Sequence, residues 1–115
     1  MRLRSDIWVA AYLRRCGVEG ANAVLLRRGA AEAGAIFVKV DHLDGRATLY
    51  GPAPQSVAVE LKPGVERIFA RAHSGDSIDS SAAEERLKRE IAFDPDLWIV
   101  EVENAPLGAW LDLAS

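Results

Sequence analysis

The feature that most constrains the fold is an Asp-Gly pair between two apolar runs. The pair is Asp44-Gly45, and the residues on either side of it alternate between apolar and polar types. Asp-Gly favours a two-residue hairpin turn of type I′, because both central residues of that turn need positive φ. The turn sets an antiparallel register in which Val40 lies opposite Leu49. We therefore predict a β-hairpin with one inner and one outer face.

The predicted register gives this hairpin one apolar face and one polar face. Successive side chains of a strand point to opposite sides of the sheet, so Lys39 and Asp41 lie on the face away from Val40. In this register Lys39 is opposite Tyr50. We expect the polar face to stay partly exposed and to provide a contact surface, formed by Phe37, Lys39, Tyr50 and Arg71.

Size and composition indicate a single small domain. The chain has 115 residues, of which 50% are hydrophobic and 27% charged, and this fits one domain over residues 1–115. The apolar run at residues 7–13 is too short to span a bilayer, and the N-terminus lacks the cleavage site of a secretory signal. The single cysteine, Cys16, excludes an internal disulfide. We expect a cytoplasmic protein that does not bind membranes.

Local patterns predict two helices and about five to six strands. Helices are expected over residues 6–16, with Ser5 as N-cap, and over residues 82–92, where Ser81 and Glu84 have the spacing of a capping box. Strands are expected at residues 23–28, in the first hairpin, in a second hairpin at residues 57–61 and 67–73, and from residue 97 onward. The order helix, strand, hairpin, hairpin, helix, strand predicts an α+β domain with a mostly antiparallel sheet and helices packed on one face.

The last ten residues carry a second candidate contact element. Leu107, Trp110 and Leu111 would share one face of a short helical turn, whereas residues 110–113 would alternatively form an edge strand. We expect the segment to dock on the body of the domain, because an exposed Trp-Leu tail promotes aggregation. Trp110 is a candidate binding residue in either arrangement.

Several segments resemble a family of small alphaproteobacterial proteins of unknown function, DUF1491. The strongest is Phe-Asp-Pro-Asp-Leu-Trp-Ile-Val-Glu-Val-Glu at residues 93–103. The others are Leu-Tyr-Gly-Pro-Ala-Pro at residues 49–54, and Ile-Trp-Val at residues 7–9 followed by Arg-Arg-Cys at residues 14–16. The resemblance covers the whole chain. It implies a bacterial, cytoplasmic, stand-alone domain, and the family offers no activity, substrate or catalytic residue to transfer.

A few polar residues are candidates for catalysis, and each also has a structural interpretation. Asp94 and Asp96 form a carboxylate pair suited to acid-base chemistry, and His73 would complete a cleft with them. Asp-Pro-Asp between a helix and a strand is also ordinary turn chemistry, which we favour. Cys16 with His42 or His73 has the residue types of a nucleophile and its base. The place of Cys16 on the apolar face of the first helix nevertheless indicates a buried thiol.

Positive charge is concentrated in the N-terminal third of a chain whose net charge is −3. A phosphate-binding surface would use Arg2, Arg4, Arg14, Arg15, Arg27 and Arg28. The chain is acidic overall and carries no recognised nucleic-acid motif, so we do not favour nucleic acid as a partner. Two histidines without carboxylate or cysteine at ligand spacing predict no metal site, and no motif indicates a cofactor.

The leading hypothesis is a non-enzymatic binding or accessory domain that acts through protein contacts, with a homodimer as one form. Its contact surfaces would be the polar sheet face and Trp110. One alternative is a small enzyme of unrecognised type with a cleft near Asp94, Asp96 and His73. The other is an arginine-mediated nucleic-acid binder. No sequence motif decides among these classes.

Overall fold

The computed structural model describes residues 3–54 and 67–114. Within these ranges it contains two helices and six strands, which confirms the predicted α+β class. The elements in chain order are α1 (Ser5–Val18), β1 (Asn22–Arg27), β2 (Ile36–Asp41), β3 (Arg46–Pro52), β4 (Phe69–Arg71), β5 (Ile78–Asp79), α2 (Ser80–Phe93) and β6 (Trp98–Glu103).

The strands form one sheet in the order β1-β6-β2-β3-β4, and β5 also pairs with β3. β2 and β6 are parallel, and the other described pairs are antiparallel, so the sheet is mostly antiparallel as predicted. β6 lies in the interior of the sheet, and β1 lies at one edge. A strand that is covered on both faces reads as a continuous apolar run, which explains why β6 begins Trp98-Ile99-Val100.

The two helices pack on opposite faces of the sheet. α1 contributes Val9 and Cys16 to a core that includes Val38 of β2. α2 contributes Leu87 to a second core that includes Phe37 of the same strand. Adjacent residues of one strand point to opposite faces, so the expectation of both helices on one face is not met. The pattern of a helix shows which of its sides is apolar, but it does not show which sheet face the helix covers.

The β2–β3 hairpin forms where it is predicted, but its register differs by one residue. Tyr50 lies opposite Val38, and not opposite Lys39. The His42 amide donates a hydrogen bond to the Arg46 carbonyl at 3.1 Å, which closes a three-residue loop in place of the predicted two-residue turn. Tyr50 therefore shares a face with Val38, on the side of the sheet that α1 covers.

Local side-chain hydrogen bonds stabilise the longer loop. Leu43 and Gly45 both have positive φ, at 63° and 84°, so the first left-handed position falls one residue earlier than predicted. The Asp41 carboxylate accepts a hydrogen bond from the Leu43 amide at 2.8 Å. The Asp44 carboxylate accepts one from the Arg46 amide at 3.0 Å. These Asx contacts favour the three-residue loop over the Asp-Gly turn.

The C-terminal segment, residues 105–114, docks beside β4, as expected from its apolar composition. The Phe69 amide donates to the Asp112 carbonyl at 2.8 Å, and the Ala114 amide donates to the Phe69 carbonyl at 2.9 Å. These bonds give β4 a partner in addition to β3. The strand predicted at residues 57–61, which would have paired with the β4 region, lies outside the described residues.

Two glycines allow the loop after β1 to pack closely against the start of β6. A Cβ atom on Gly29 would lie 2.1 Å from the Asp96 carbonyl oxygen, and one on Gly34 would lie 2.4 Å from the same atom. The Trp98 indole also reaches this loop, since its Nε1–H donates to the Ala30 carbonyl at 2.7 Å. The contact fixes the chain between β1 and β2 against the neighbouring strand.

This close approach predicts a strong position dependence for glycine substitution. Gly29→Ala should destabilise the fold by about 3 kcal/mol, because backbone atoms of Asp96 and Leu97 must move to admit the methyl group. Gly17 lies within α1 and has open space where a methyl group would be added, so Gly17→Ala should stabilise the protein by about 0.5 kcal/mol. Denaturant unfolding measures both values. Equal effects of the two substitutions would contradict the close packing of Gly29 against the backbone of Asp96 and Leu97.

Candidate functional site

Three of the four residues of the predicted polar sheet face, Phe37, Lys39 and Tyr50, are buried, whereas Arg71 is exposed. Lys39 is only 5% exposed, and Phe37 is also buried, because α2 packs over this part of β2. The Lys39 ammonium forms ion pairs with Glu84 of α2 and, at 3.2 Å, with Glu101 of β6. The prediction that Lys39 is an exposed contact residue is therefore wrong. The helix that covers the lysine also supplies a carboxylate that neutralises it.

Opposing effects act on the pKa of Lys39. Burial is the largest single effect and favours the neutral amine, whereas hydrogen bonds and charge from Glu84 and Glu101 favour the ammonium ion. The combined effect of the two carboxylates is larger than the effect of burial, so the pKa of Lys39 is raised above its usual value. Lys39 is thus a charged structural residue between sheet and helix.

Two buried tyrosines hold the C-terminal segment. The Tyr50 hydroxyl accepts a hydrogen bond from the Gly108 amide at 2.9 Å, and the Tyr12 hydroxyl donates one to the Ala109 carbonyl at 2.9 Å. Burial raises the pKa of Tyr12, because the phenolate would lose its hydration. Tyr50 is 1% exposed, so it is an anchor inside the molecule and not the exposed contact residue that was predicted.

Two of the clefts that the C-terminal segment helps to line contain candidate residues. The first, the Arg71 cleft, has a volume of about 380 Å³ and is lined by Tyr50, Ala70, Arg71, His73, Leu107, Leu113 and Ala114. The second, the tryptophan groove, has a volume of about 210 Å³ and is lined by Leu3, Trp8, Ala11, Tyr12, Arg15, Trp110, Leu111 and Asp112. The Arg71 cleft brings together Tyr50, Arg71 and His73 from the predicted sites. The tryptophan groove contains the predicted binding residue Trp110.

The polar side chains of the Arg71 cleft are engaged with their own neighbourhood. His73 Nε2 accepts a hydrogen bond from the Leu49 amide at 3.0 Å, and its Nδ1 lies 3.0 Å from the Ser74 carbonyl. A neutral ring protonated on Nδ1 satisfies both contacts. Arg71 donates to the Asp76 carboxylate at 2.6 Å. To act as a base, His73 would have to release the Leu49 amide, so this geometry favours a structural role.

The tryptophan groove has an aromatic floor and charged rims. Trp8 stacks on Tyr12, with ring centroids 5.1 Å apart and planes inclined by 13°. Trp110 lines the groove from the C-terminal segment, and Arg15 and Asp112 supply one charge of each sign. Aromatic side chains surrounded by polar residues are typical of sites that hold an anchoring side chain of a protein partner.

The structure does not bring His73 together with the two candidate aspartates. The Asp94 carboxylate accepts the Asp96 amide at 3.0 Å, which is the turn chemistry favoured from the sequence. Asp96 precedes β6, whereas His73 follows β4, and β2 and β3 lie between those two strands. Three strand spacings correspond to roughly 14 Å. The predicted cleft that would join these three residues is not formed.

Cys16 is fully buried, as its position on the apolar face of α1 predicts. Burial is the main cause of the raised pKa of its thiol, because the thiolate would lose its hydration. The ring of His42 lies at the hairpin, where its Nε2 is 2.8 Å from Thr48 Oγ1. His73 is engaged with the Leu49 amide. Neither histidine is placed as a base for Cys16 by these contacts.

Most of the candidate phosphate-binding arginines have partners within the chain. Arg4 and Arg15 form ion pairs with neighbouring carboxylates at 3.2 and 3.0 Å. Arg27 donates to a backbone carbonyl at 2.8 Å, and the Cζ of Arg28 lies 5.3 Å from the centroid of an indole ring. Arg2 lies outside the described residues. These contacts satisfy guanidinium groups without a phosphate.

Two further classes of site are absent from the described parts of the chain. Within them, no group of three or more His, Cys, Asp or Glu side chains is arranged to hold a metal ion. The helices α1 and α2 have 14 residues each, and no helix in residues 3–54 and 67–114 is long and apolar enough to cross a membrane.

Sequence reasoning identified one wall of the tryptophan groove and missed the other. Trp8 lies on the apolar face of α1, a position that by itself indicates only a buried side chain. The sequence feature that points to Trp8 as a partner of Trp110 is the presence of one tryptophan near each end of a chain that has three. What brings Trp8 and Trp110 to one groove is the docking of the C-terminal segment, which no local pattern encodes.

These features define a small α+β domain with an open, mostly antiparallel sheet between two helices. The model of the DUF1491 family, described as a protein of unknown function, matches residues 3–112, so the chain belongs to this family. The resemblance inferred from the sequence is therefore confirmed.

Solved structures give the same assignment. A solution structure of a protein from A. tumefaciens has 41% sequence identity and a TM-score of 0.80, and covers 100% of this chain and 97% of that chain. A crystal structure of a DUF1491 family protein from Caulobacter crescentus has 32% identity and a TM-score of 0.77, with 100% of both chains covered. No curated protein matches the chain. The function must therefore be argued from the geometry.

The ion pairs of Lys39 generate a stability prediction. Replacing both carboxylates, in the double variant Glu84→Gln and Glu101→Gln, should destabilise the fold by about 3 kcal/mol at pH 7, because it leaves a buried ammonium without a counter-charge. Adding Lys39→Met should recover most of that loss, since an apolar chain of similar length then fills the site. Urea unfolding of the wild type and the two variants measures these differences.

The raised pKa of Lys39 fixes the sign of the pH dependence. The charged Lys39 contributes fully to the free energy of unfolding below the usual lysine pKa of about 10.4. This contribution is lost as pH rises through the pKa of Lys39 in the folded protein, because the unfolded chain releases the proton first. The difference in free energy of unfolding between the wild type and the double variant should therefore decrease above about pH 10.4. A gap that widens there would contradict the assignment.

The burial of Cys16 predicts an inert thiol in the folded protein. A colourimetric disulfide reagent at neutral pH should label Cys16 only as fast as the structure opens, because the folded thiol has no access to the reagent and a raised pKa. Labelling in denaturant, which should be complete at once, is the control. Stoichiometric labelling of the native protein within the mixing time would support the nucleophile hypothesis instead.

Proposed function

We propose that the chain is a non-enzymatic binding domain that holds an apolar side chain of a protein partner in the tryptophan groove. The observation that carries the proposal is the aromatic lining between α1 and the C-terminal segment, where the half-buried Trp8 stacks on the buried Tyr12 and the half-buried Trp110 lies on the other side. Tryptophan and tyrosine are among the residues most enriched where binding energy is concentrated in protein interfaces.

The composition of the groove supports a protein partner over a small polar ligand. Its volume of about 210 Å³ is smaller than most small-molecule sites, which span about 300–1,000 Å³, and suits one or two side chains. Arg15 and Asp112 offer one positive and one negative group for orienting a peptide. Neither lies inside a deep polar pocket, because both side chains are largely exposed.

The groove is held in shape before any partner binds. Tyr12 lines it and at the same time anchors the C-terminal segment through the Ala109 carbonyl. Trp8 is fixed on its inner side by Phe69, at a centroid distance of 5.3 Å. A preformed site avoids the ordering cost that a flexible surface would add to binding. We place this activity in the cytoplasm, which the lone, buried Cys16 supports.

Two neighbouring alanines of α1 provide a matched test. Ala11 lines the tryptophan groove, whereas Ala10 is exposed on the same helix and does not line it. Ala11→Arg should place a long charged side chain across the groove and reduce partner capture at least tenfold. Ala10→Arg should leave capture unchanged. Both variants should keep the wild-type melting temperature, because both alanines face solvent.

The measurement is affinity capture from the native bacterium at high salt, with and without nuclease treatment, quantified by mass spectrometry. A protein that is retained by wild type and Ala10→Arg but lost with Ala11→Arg supports the proposal. Equal retention by all three proteins would contradict it. Material that disappears with nuclease would instead favour the nucleic-acid alternative, and capture of nothing by the wild type would count against a stable protein partner.

A further inference from the structure

The two edges of the sheet are treated differently. At one edge, Phe69 of β4 exchanges backbone hydrogen bonds with Asp112 and Ala114 of the C-terminal segment. At the other edge, β1 pairs with β6 on one side only, and no backbone bond from the rest of the described chain reaches its outer side. β1 therefore presents a row of amide and carbonyl groups that another strand can pair with.

The outer edge of β1 lacks most of the features that prevent strand addition. Residues 22–25 carry no charge and no proline, and these are the usual protections of an exposed edge. Val24 is 45% exposed and Leu26 is 49% exposed, and they are the large exposed apolar residues that lie within described strands. A β-bulge interrupts the ladder only between Leu25 and Arg27. The preceding four residues keep a regular edge.

The charges around β1 are self-complementary. Arg27 and Arg28 lie at its C-terminal end. At its N-terminal end, Asn22 lies opposite Glu103 of β6 and donates to that carboxylate at 3.3 Å. Antiparallel pairing about a two-fold axis places the basic end of one β1 beside the Asn22 end of the other, next to Glu103 of the adjacent β6. The apolar centre of each strand then meets the apolar centre of its copy.

We propose that β1 pairs antiparallel with β1 of a second copy of this chain, which joins the two sheets into one. The occupant is a second copy because the surface matches itself in three respects: open backbone groups, an apolar centre, and opposite charges near the two ends, from Arg27 and Arg28 at one end and from Glu103 of the adjacent β6 at the other. This interface lies apart from the tryptophan groove, since no residue of β1 lines that groove. Each copy of a dimer would keep its own groove.

A pair of lysine substitutions tests the interface. Val24→Lys places a charge in the centre of the paired strands, where the two-fold brings it close to its own copy, so it should raise the dissociation constant at least tenfold. Phe93→Lys makes the same kind of change at the end of α2, where the phenylalanine is 89% exposed, and should leave association unchanged. Both variants should melt as the wild type does at low concentration.

Sedimentation velocity over about 1 μM to 1 mM, the range of weak to moderate affinities, gives the oligomeric state of the three proteins. Dimers of wild type and Phe93→Lys with a monomeric Val24→Lys support the proposal. A wild type that is monomeric throughout would overturn it and leave the edge to a strand of another protein. Dimers that survive Val24→Lys unchanged would also overturn it, because association would then use another surface.

Backbone amide exchange locates the contact independently of any substitution. In an antiparallel pair, alternate amides of a strand point to the partner, so alternate amides of residues 22–25 should become slower to exchange as concentration rises. Amides of α2 serve as the control and should not respond. Concentration-dependent protection elsewhere, with β1 unaffected, would contradict the pairing even if the protein is a dimer.

Discussion

The structure depends most on the docking of the C-terminal segment by two buried tyrosine hydroxyls. Tyr12 reaches the segment from α1, and Tyr50 reaches it from β3, so one short stretch of chain is fixed to both the helix and the sheet. Both clefts that we describe use residues of this segment. Each of these hydrogen bonds contributes about 1 kcal/mol net, so the two hydroxyls favour the docked position over a detached tail.

Much of the fold could be predicted because local sequence patterns determine where the helices and strands form and which of their sides are buried. The spacing of Val9, Tyr12 and Cys16 indicates the buried side of α1, and the run at the start of β6 indicates a strand covered on both faces. The register of the hairpin could not be predicted by the Asp44-Gly45 rule. The Asp41 carboxylate favours a longer loop that starts at Leu43, and this competing turn chemistry moves every pairing by one residue.

The candidate site was harder to predict because it depends on contacts between distant segments. Lys39 reads as an exposed residue in isolation, since a lysine is rarely buried unless it is paired. Its partners, Glu84 and Glu101, come from α2 and β6, and their approach requires the strand order and the side on which α2 packs. Trp110 was identified from its type, but its neighbour Trp8 comes from the other end of the chain.

The most direct test of this account is native-state hydrogen exchange at the C-terminal segment. The amides of Gly108 and Ala114, which donate to the Tyr50 hydroxyl and the Phe69 carbonyl, should exchange nearly as slowly as amides of the central strands β2 and β3. That result would establish the segment as a fixed wall of the tryptophan groove. Exchange of these two amides at the rate of an unfolded chain, with β2 and β3 still protected, would contradict the account.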